Sequence, residues 1–380
     1  MESSKDSIAR RTLIGVAAAM PITATAGSTA NSAVSIGLLG TGRRGPTVSR
    51  LLTQNTSGRI TALCDLYDEK IERAKKVIGL ENPAIYKDYE ELLASDVDAI
   101  MIATPAFLHA EHFEKAVQAG KHIYIEKPAS PDVAGCKRIM RAADGADRHL
   151  NITFGFQRRY SQIYKKAKAL LDSGEIGTVR LALLQFLKSR GSRKRPSDVE
   201  PPTKLADKIA QWYSWRHLSG DLIVENNIHL IDVMNWFLGG HPVKAIGTGG
   251  QTIPQLGDVR DHGQVTFDYP NNVQGCLTGT TLAPPTYRAV NERFFGNKGG
   301  IETTSLYWKH FRNRDEIFTE QAPRNETIDA VDEFVTRIAE GRPENTGVRG
   351  AESTLTAILG RMAMDRKREV TWEEMWNSEA

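Results

Sequence analysis

The nonapeptide GLLGTGRRG, residues 37–45, constrains the fold more than any other stretch of the chain. It completes the β-rich apolar run AVSIGLLG and leads into PTVSRLLTQ, which has helical spacing. A GxGxxG turn between strand and helix is the dinucleotide-binding pattern, and its glycines have separate physical roles. Gly40 permits the tight turn, Gly42 lets the backbone approach a pyrophosphate, and Gly45 lets helix and strand pack closely. The start of the following helix then presents free N–H groups and a positive dipole end to the phosphates. Asp65 closes the next strand 20 residues after Gly45. A carboxylate there accepts from a ribose 2′-hydroxyl and repels a 2′-phosphate, so NAD is the expected cofactor. Arg43 and Arg44 keep NADP open, because either can meet a phosphate. The competing reading is a glycine turn in an unrelated α/β protein.

The surrounding pattern favours the nucleotide. RITALCD reads as a second strand, YDEKIERAKKVIG and DYEELLAS as helices, and VDAIMIATP as a strand apolar on both faces. HAEHFEKAVQAG is a helix closed by Gly120, and KHIYIEKP a fourth strand. Such alternation predicts a doubly wound parallel sheet, a Rossmann domain over residues 34–150. Beyond it the texture changes. YSQIYKKAKALLDSGEIG is a helix ending at glycine and TVRLALLQFLKS a long strand. VKAIGTGGQT, HGQVTFDYP, VQGCLTGTTL and RFFGNKGGIETT read as strands joined by turns. Residues 151–380 are therefore expected to form a C-terminal α+β domain with a mostly antiparallel open sheet. Its closing helices, in TIDAVDEFVTRIAEG and GAESTLTAILGRMAMDRK, should pack back on the body.

Composition excludes little, but it does narrow the partners. The net charge of +3 gives no case for nucleic acid. The one basic run, KSRGSRKRP, is either a solvated loop or a rim that attracts an anionic substrate. Cys64, Cys136 and Cys276 are too scattered for a zinc site or a disulfide framework, leaving one bridge open and no metal expected. Residues 1–30 stand apart. Arg10 and Arg11 precede TLIGVAAAMPITATA, too short an apolar stretch to span a bilayer, and Ala24-Thr25-Ala26 offers a small-residue cleavage site. The segment resembles a twin-arginine export signal cleaved near residue 26, which implies the export machinery as partner and a periplasmic location. An uncleaved anchor and a chance basic tail are the alternatives, with a cytoplasmic location if the signal is unused.

The stretch ATPAFLHAEHFEKAVQAGKHIYIEKP resembles the Gfo/Idh/MocA oxidoreductases through Thr104-Pro105, His109, AGKH and Glu126-Lys127-Pro128. GFQRRYS (155–161) and SGDLIVENNIHLIDVMNW (219–236) extend the resemblance over nearly the whole chain after the leader. It implies that Lys127 faces the substrate beside the nicotinamide, where a partly desolvated ammonium suits proton shuttling. Thr104, His109, Glu126 and Arg158 are then expected on the cofactor side, Arg158 ahead of Arg159. Glu225, His229 and Asp232 share one helical face if their stretch is a helix. The family pattern makes His229 the general base, or a donor that holds the substrate hydroxyl. Glu225 stands where the family usually has Asp. Asp221 and Asn227 occupy positions where glycine is common. Glu225, one methylene longer, can contact the substrate directly instead of backing the histidine, so the proton acceptor is left open; the expected roles are Lys127 and His229 for the hydroxyl proton, with Glu225 orienting. Trp212, Tyr213, Trp215 and Arg216 form either a sugar-stacking wall or buried packing at the domain interface.

The resemblance implies hydride transfer to or from a secondary hydroxyl carbon of a sugar, polyol or glycoside, with the protein positioning groups and managing protons. Export would favour a tightly held cofactor and a closed redox cycle. The alternatives are an NAD-dependent, redox-neutral glycoside hydrolase and a non-catalytic Rossmann binding protein. A homodimer or homotetramer is expected by the same resemblance, through the open face of the second-domain sheet.

Overall fold

The computed structural model describes residues 33–189, 199–313 and 316–378. The arginine pair, the cleavage site and most of the basic run lie outside these residues. The first domain runs β1 (Ser35–Leu39), α1 (Arg44–Asn55), β2 (Arg59–Cys64), α2 (Asp68–Ile78), β3 (Ala84–Tyr86), α3 (Tyr89–Ala94), β4 (Ala99–Ile102), α4 (His109–Gln118), β5 (His122–Ile125), α5 (Val133–Asp144) and β6 (Ile152–Phe154). Its six strands are parallel in the order β3-β2-β1-β4-β5-β6. Every residue of β4 is buried, as a strand covered by helices on both faces requires. The order reverses between β1 and β4, which opens a crevice beyond the carboxyl ends of those strands. β3 and β6 were not anticipated, since three residues are too few to show a period. β6 carries the first sheet past residue 150.

The second domain comprises α6 (Gln162–Asp172), β7 (Val179–Leu187), α7 (Leu205–Gln211), α8 (Arg216–Ser219), α9 (Asp221–Glu225), α10 (Ile228–Leu238), β8 (Lys244–Gly250), β9 (His262–Tyr269), β10 (Val273–Thr280), β11 (Ala289–Gly296), β12 (Gly300–Thr303), β13 (Tyr307–Asn313), β14 (Glu316–Gln321), α11 (Glu326–Ala339), α12 (Gly347–Arg366) and β15 (Val370–Thr371). Its sheet has the order β14-β13-β12-β11-β7-β10-β9-β8-β15, antiparallel except at the β7–β10 pair. Leu184, Phe267, Leu277 and Phe294 point to the covered face, where α10 and α12 lie. α11 packs on α1 and α12 on α5, so the closing helices run back along the first domain.

One local expectation fails. The stretch 219–236 is not a single helix: α9 ends at Glu225 and α10 begins at Ile228. The amide N–H groups of Asn226 and Asn227 both turn back to the Leu222 carbonyl, which tightens the chain and ends α9. The three cysteines are free, so no bridge links them.

Candidate active site

The turn after β1 is built as its glycines demand. Gly40 has φ +94°, and a Cβ there would sit 2.8 Å from the Ala103 carbonyl. A Cβ on Gly45 would lie 2.4 Å from the Gly40 oxygen, so α1 can approach the strand only without one. Gly42 is different: a Cβ there meets nothing within 4 Å. Its lack of a side chain is not needed for packing and leaves the backbone open to a ligand. α1 starts with no side-chain cap and no acidic residue in its first turn, so its free N–H groups face outward unopposed. These features fit a dinucleotide pyrophosphate.

Asp65 supports the same turn. Its Oδ2 accepts from the Thr41 amide (2.8 Å) and hydroxyl (2.9 Å), and its Oδ1 from the Tyr67 amide (3.1 Å). Three of its roughly four acceptor sites are thus used, leaving one for a ribose hydroxyl. Arg43 is exposed beside the turn. Arg44 instead turns inward and donates from Nε to Glu126 Oε1 at 2.8 Å.

Glu126, Lys127 and Pro128 follow β5 and are held from behind. Buried Glu126 ties them to α1 through Arg44, and its own amide donates to the Ile102 carbonyl. The buried His109 ring lies between the Pro128 carbonyl (2.6 Å) and the Thr104 carbonyl (2.8 Å). Burial keeps that imidazole below its usual range, so the neutral ring donates to one of the two carbonyls. Thr104 Oγ1 contacts His112 Nδ1 at 3.0 Å, and burial pushes His112 down to about 3. Thr104, His109 and Glu126 therefore brace the loop that carries Lys127.

Lys127 reaches across the domain junction. Its Nζ donates to both the carbonyl (2.7 Å) and Oε1 (2.9 Å) of Glu225. In an unbroken α-helix that carbonyl would accept the amide of residue 229. The interruption at Asn226–Asn227 leaves it for the lysine. Burial raises the Glu225 carboxyl above its usual range against the pull of Lys127. Burial, then the Lys127, Arg158, Arg44 and Lys188 charges, hold His229 well below its usual range, so the ring is neutral. His229 meets Phe156 edge-on, with ring centroids 6.3 Å apart. Glu225 Oε2 and His229 Nδ1 are buried without a partner. Groups of this kind carry a desolvation cost that a bound hydroxyl group would relieve.

Several expected contacts go elsewhere. Asp232, a candidate for the substrate side, is committed within the protein: both its oxygens accept from Arg159 Nε (3.0 and 2.9 Å), and Ser353 Oγ donates to Oδ1 at 2.7 Å. Arg158 pairs with Glu292, a fully buried acid that also accepts from Tyr164 and Thr303. Both arginines thus find carboxylates in the second domain, whereas Arg158 was expected on the cofactor. Trp215 is 6% exposed, which favours packing over sugar stacking. Arg216 is committed to Asp258 and Asp365.

Sequence reasoning missed the work done by Asp221. It follows Gly220 in the left-handed region, with φ 84°. Its carboxylate accepts from the Arg260 amide at 2.8 Å and pairs with the Arg260 guanidinium, fixing where α9 starts and hence where Glu225 ends it. The one available signal was its departure from glycine.

Comparison with known proteins agrees with this geometry. Residues 34–154 match the model of the Gfo/Idh/MocA oxidoreductase family, NAD-binding Rossmann fold, and residues 164–302 match the C-terminal domain model of that family. Myo-inositol 2-dehydrogenase of Thermotoga maritima is 25% identical over 357 residues, covering 90% of this chain and 99% of the relative. Inositol 2-dehydrogenase of Rhizobium meliloti is 28% identical over 271 residues, covering 70% of this chain and 74% of that protein. Levoglucosan dehydrogenase, solved with NADH and levoglucosan, superposes with a TM-score of 0.74 at 19% identity over 89% of this chain and 99% of its own. Apo scyllo-inositol dehydrogenase from Lactobacillus casei gives 0.69 at 21% identity over 90% and 98%. At these identities the structural likenesses establish the fold.

Proposed function

We infer the function from one premise: the chain belongs to the Gfo/Idh/MocA oxidoreductase family, whose first domain binds NAD. The substrate is a sugar or polyol, oxidised or reduced at a secondary hydroxyl carbon. The observation that carries this reading is the cluster of Lys127, Glu225 and His229, with two buried polar atoms left for a hydroxyl. The relatives named for inositol and levoglucosan support the substrate class.

NAD, held by the turn at residues 40–45, supplies the hydride acceptor or donor at the substrate carbon. The chain manages the proton. Lys127, fixed by two acceptors on Glu225, presents its ammonium to the substrate oxygen. His229, neutral and part-exposed, accepts the hydroxyl proton on its imidazole ring. Glu225 Oε2 takes a neighbouring hydroxyl or relays the proton through Lys127.

The leader pattern of Arg10 and Arg11 supports export by the twin-arginine route to the periplasm. That route moves folded proteins, so NAD bound beforehand travels with the chain and is retained. Each oxidation at such a site must then be matched by reduction of a second sugar or of the oxidised product. Pairing through the second sheet completes the reading. Leu181, Phe295, Gly300, Phe311 and Ile317 share one row across its open face, with Phe295 38% and Ile317 57% exposed. Two such rows would cover each other in a dimer.

The test is mass spectrometry of nucleotide released on denaturing the purified protein, followed by a panel of inositols, sugars and aryl glycosides. Bound NAD that a polyol reduces supports the reading. Release of an aryl group without added NAD would make the protein a glycoside hydrolase, and absence of nucleotide would overturn retention. Light scattering on Phe295→Glu and Ile317→Glu tests the pairing, with monomers expected.

A further inference from the structure

The second domain touches the crevice edge of the first sheet at the ends of three of its strands, β2, β4 and β5. At the end of β2, Tyr67 donates from its hydroxyl to the Ala206 carbonyl in α7 at 3.2 Å. At the end of β4, the short turn Ala106–Leu108 lies against α8. At the end of β5, Lys127 meets Glu225. Between the first two lies β1, with its glycine turn. The backbone from Ala206 to Arg216 is therefore anchored on either side of β1 and its glycine turn.

This segment is unusual in its packing. None of the residues of α7 is buried, so the helix has little beneath it among the described residues. Leu66 and Leu205, each next to one partner of the Tyr67–Ala206 bond, are 51% and 53% exposed. They offer apolar surface at the end of the crevice where Asp65 marks the adenosine ribose. The far end of the segment is fastened as well: the Tyr213 hydroxyl donates to Asn226 Oδ1 at 3.0 Å. Asn226 adjoins Glu225 in the helix interruption.

We propose that residues 205–214 are a strap across the bound dinucleotide, fastened at Tyr67 and at Asn226, with Leu66 and Leu205 covering the adenine. The proposal rests on the reading that NAD occupies this crevice. The two fastenings are made within the protein, so the strap opens for the nucleotide both to enter and to leave. It is a gate on exchange more than a source of affinity. A gate of this kind slows release and entry alike, beyond what the cover over the adenine adds to affinity.

The test uses the full-length purified protein, stripped of nucleotide, with NADH as the probe. Stopped-flow nicotinamide fluorescence gives the association rate on mixing and the release rate on displacement by excess NAD. Tyr67→Phe keeps the ring and loses the bond to Ala206. Both rates should rise together by about fivefold, the factor carried by one net hydrogen bond, with little change in Kd. Tyr213→Phe, at the other fastening, should give the same pair of changes and serves if the first variant folds poorly. A rise in release alone would make Tyr67 an ordinary contact residue and overturn the strap, as would rates that do not move. Failure of the wild type to bind NADH would overturn the functional reading, and the strap with it.

Discussion

Lys127 Nζ is held by two different kinds of oxygen on one residue, the main-chain carbonyl of Glu225 at 2.7 Å and its carboxylate at 2.9 Å. The carbonyl fixes where the ammonium sits, and the carboxylate supplies the opposite charge. The two contributions are separable by mutation. Lys127→Met should lower single-turnover nicotinamide reduction by roughly 10²–10⁴-fold, the range for loss of a positioned proton-transfer group. Glu225→Gln keeps the carbonyl bond, so its loss should be smaller, about tenfold, as for the removal of one charge-assisted hydrogen bond. Equal losses in the two variants would mean that the lysine and the carboxylate act as one unit and not separably.

Two glycines of the turn, Gly42 and Gly45, should separate binding from stability. Gly42→Ala adds a methyl into open space, so the melting temperature should not change while the Kd for NAD rises at least about tenfold, the cost of ~1.4 kcal/mol at the pyrophosphate. Gly45→Ala drives a methyl to 2.4 Å from the Gly40 oxygen and should destabilise the fold by about 1–3 kcal/mol. Calorimetric titration and thermal melts read the two effects.

His229 should make the fold acid-sensitive. Burial and nearby cations depress its folded-state pKa, so the stability it contributes is present above the unfolded value and is lost as pH falls. Below about pH 6.5 the unfolded imidazole takes a proton that the folded one refuses, costing up to about 1.4 kcal/mol per pH unit. His229→Gln lacks this penalty. Its melting temperature relative to wild type should therefore rise between pH 7 and pH 5, and parallel curves over that interval would contradict a neutral His229.

Asp232 should matter to the fold and not to the chemistry. Asp232→Ala leaves the part-buried Arg159 without its carboxylate, at a cost of about 3 kcal/mol, the low end for breaking a buried pair, seen as a lowered midpoint in denaturant. Below the transition, single-turnover rates should stay near wild type. A rate loss as large as that of Lys127→Met would return Asp232 to the reacting groups.

The parts of the fold that are written in short spans of sequence were legible. The glycine turn, the parallel strands and Glu126-Lys127-Pro128 each depend on a few adjacent residues and their period. What was not legible depends on partners far along the chain. Lys127 and Glu225 are 98 positions apart, and Arg158 meets Glu292 across 134. No spacing rule connects such pairs. The helical face drawn through Glu225, His229 and Asp232 assumed an unbroken helix, whereas the turn of Asn226 and Asn227 onto Leu222 ends one helix at Glu225 and the next begins at Ile228. His109 looked like a cofactor ligand because it sits in the right loop. Its actual partners are carbonyls, which a sequence does not display.

The interruption after Glu225 has a consequence for how this catalytic apparatus can change over time. Half of the grip on Lys127 is peptide backbone, and every amino acid brings that half with it. Replacing the side chain at 225 alters acidity and reach while the lysine keeps its address. Position 225 is thus an interchangeable part, where new substrate preferences can be tried without dismantling the machine.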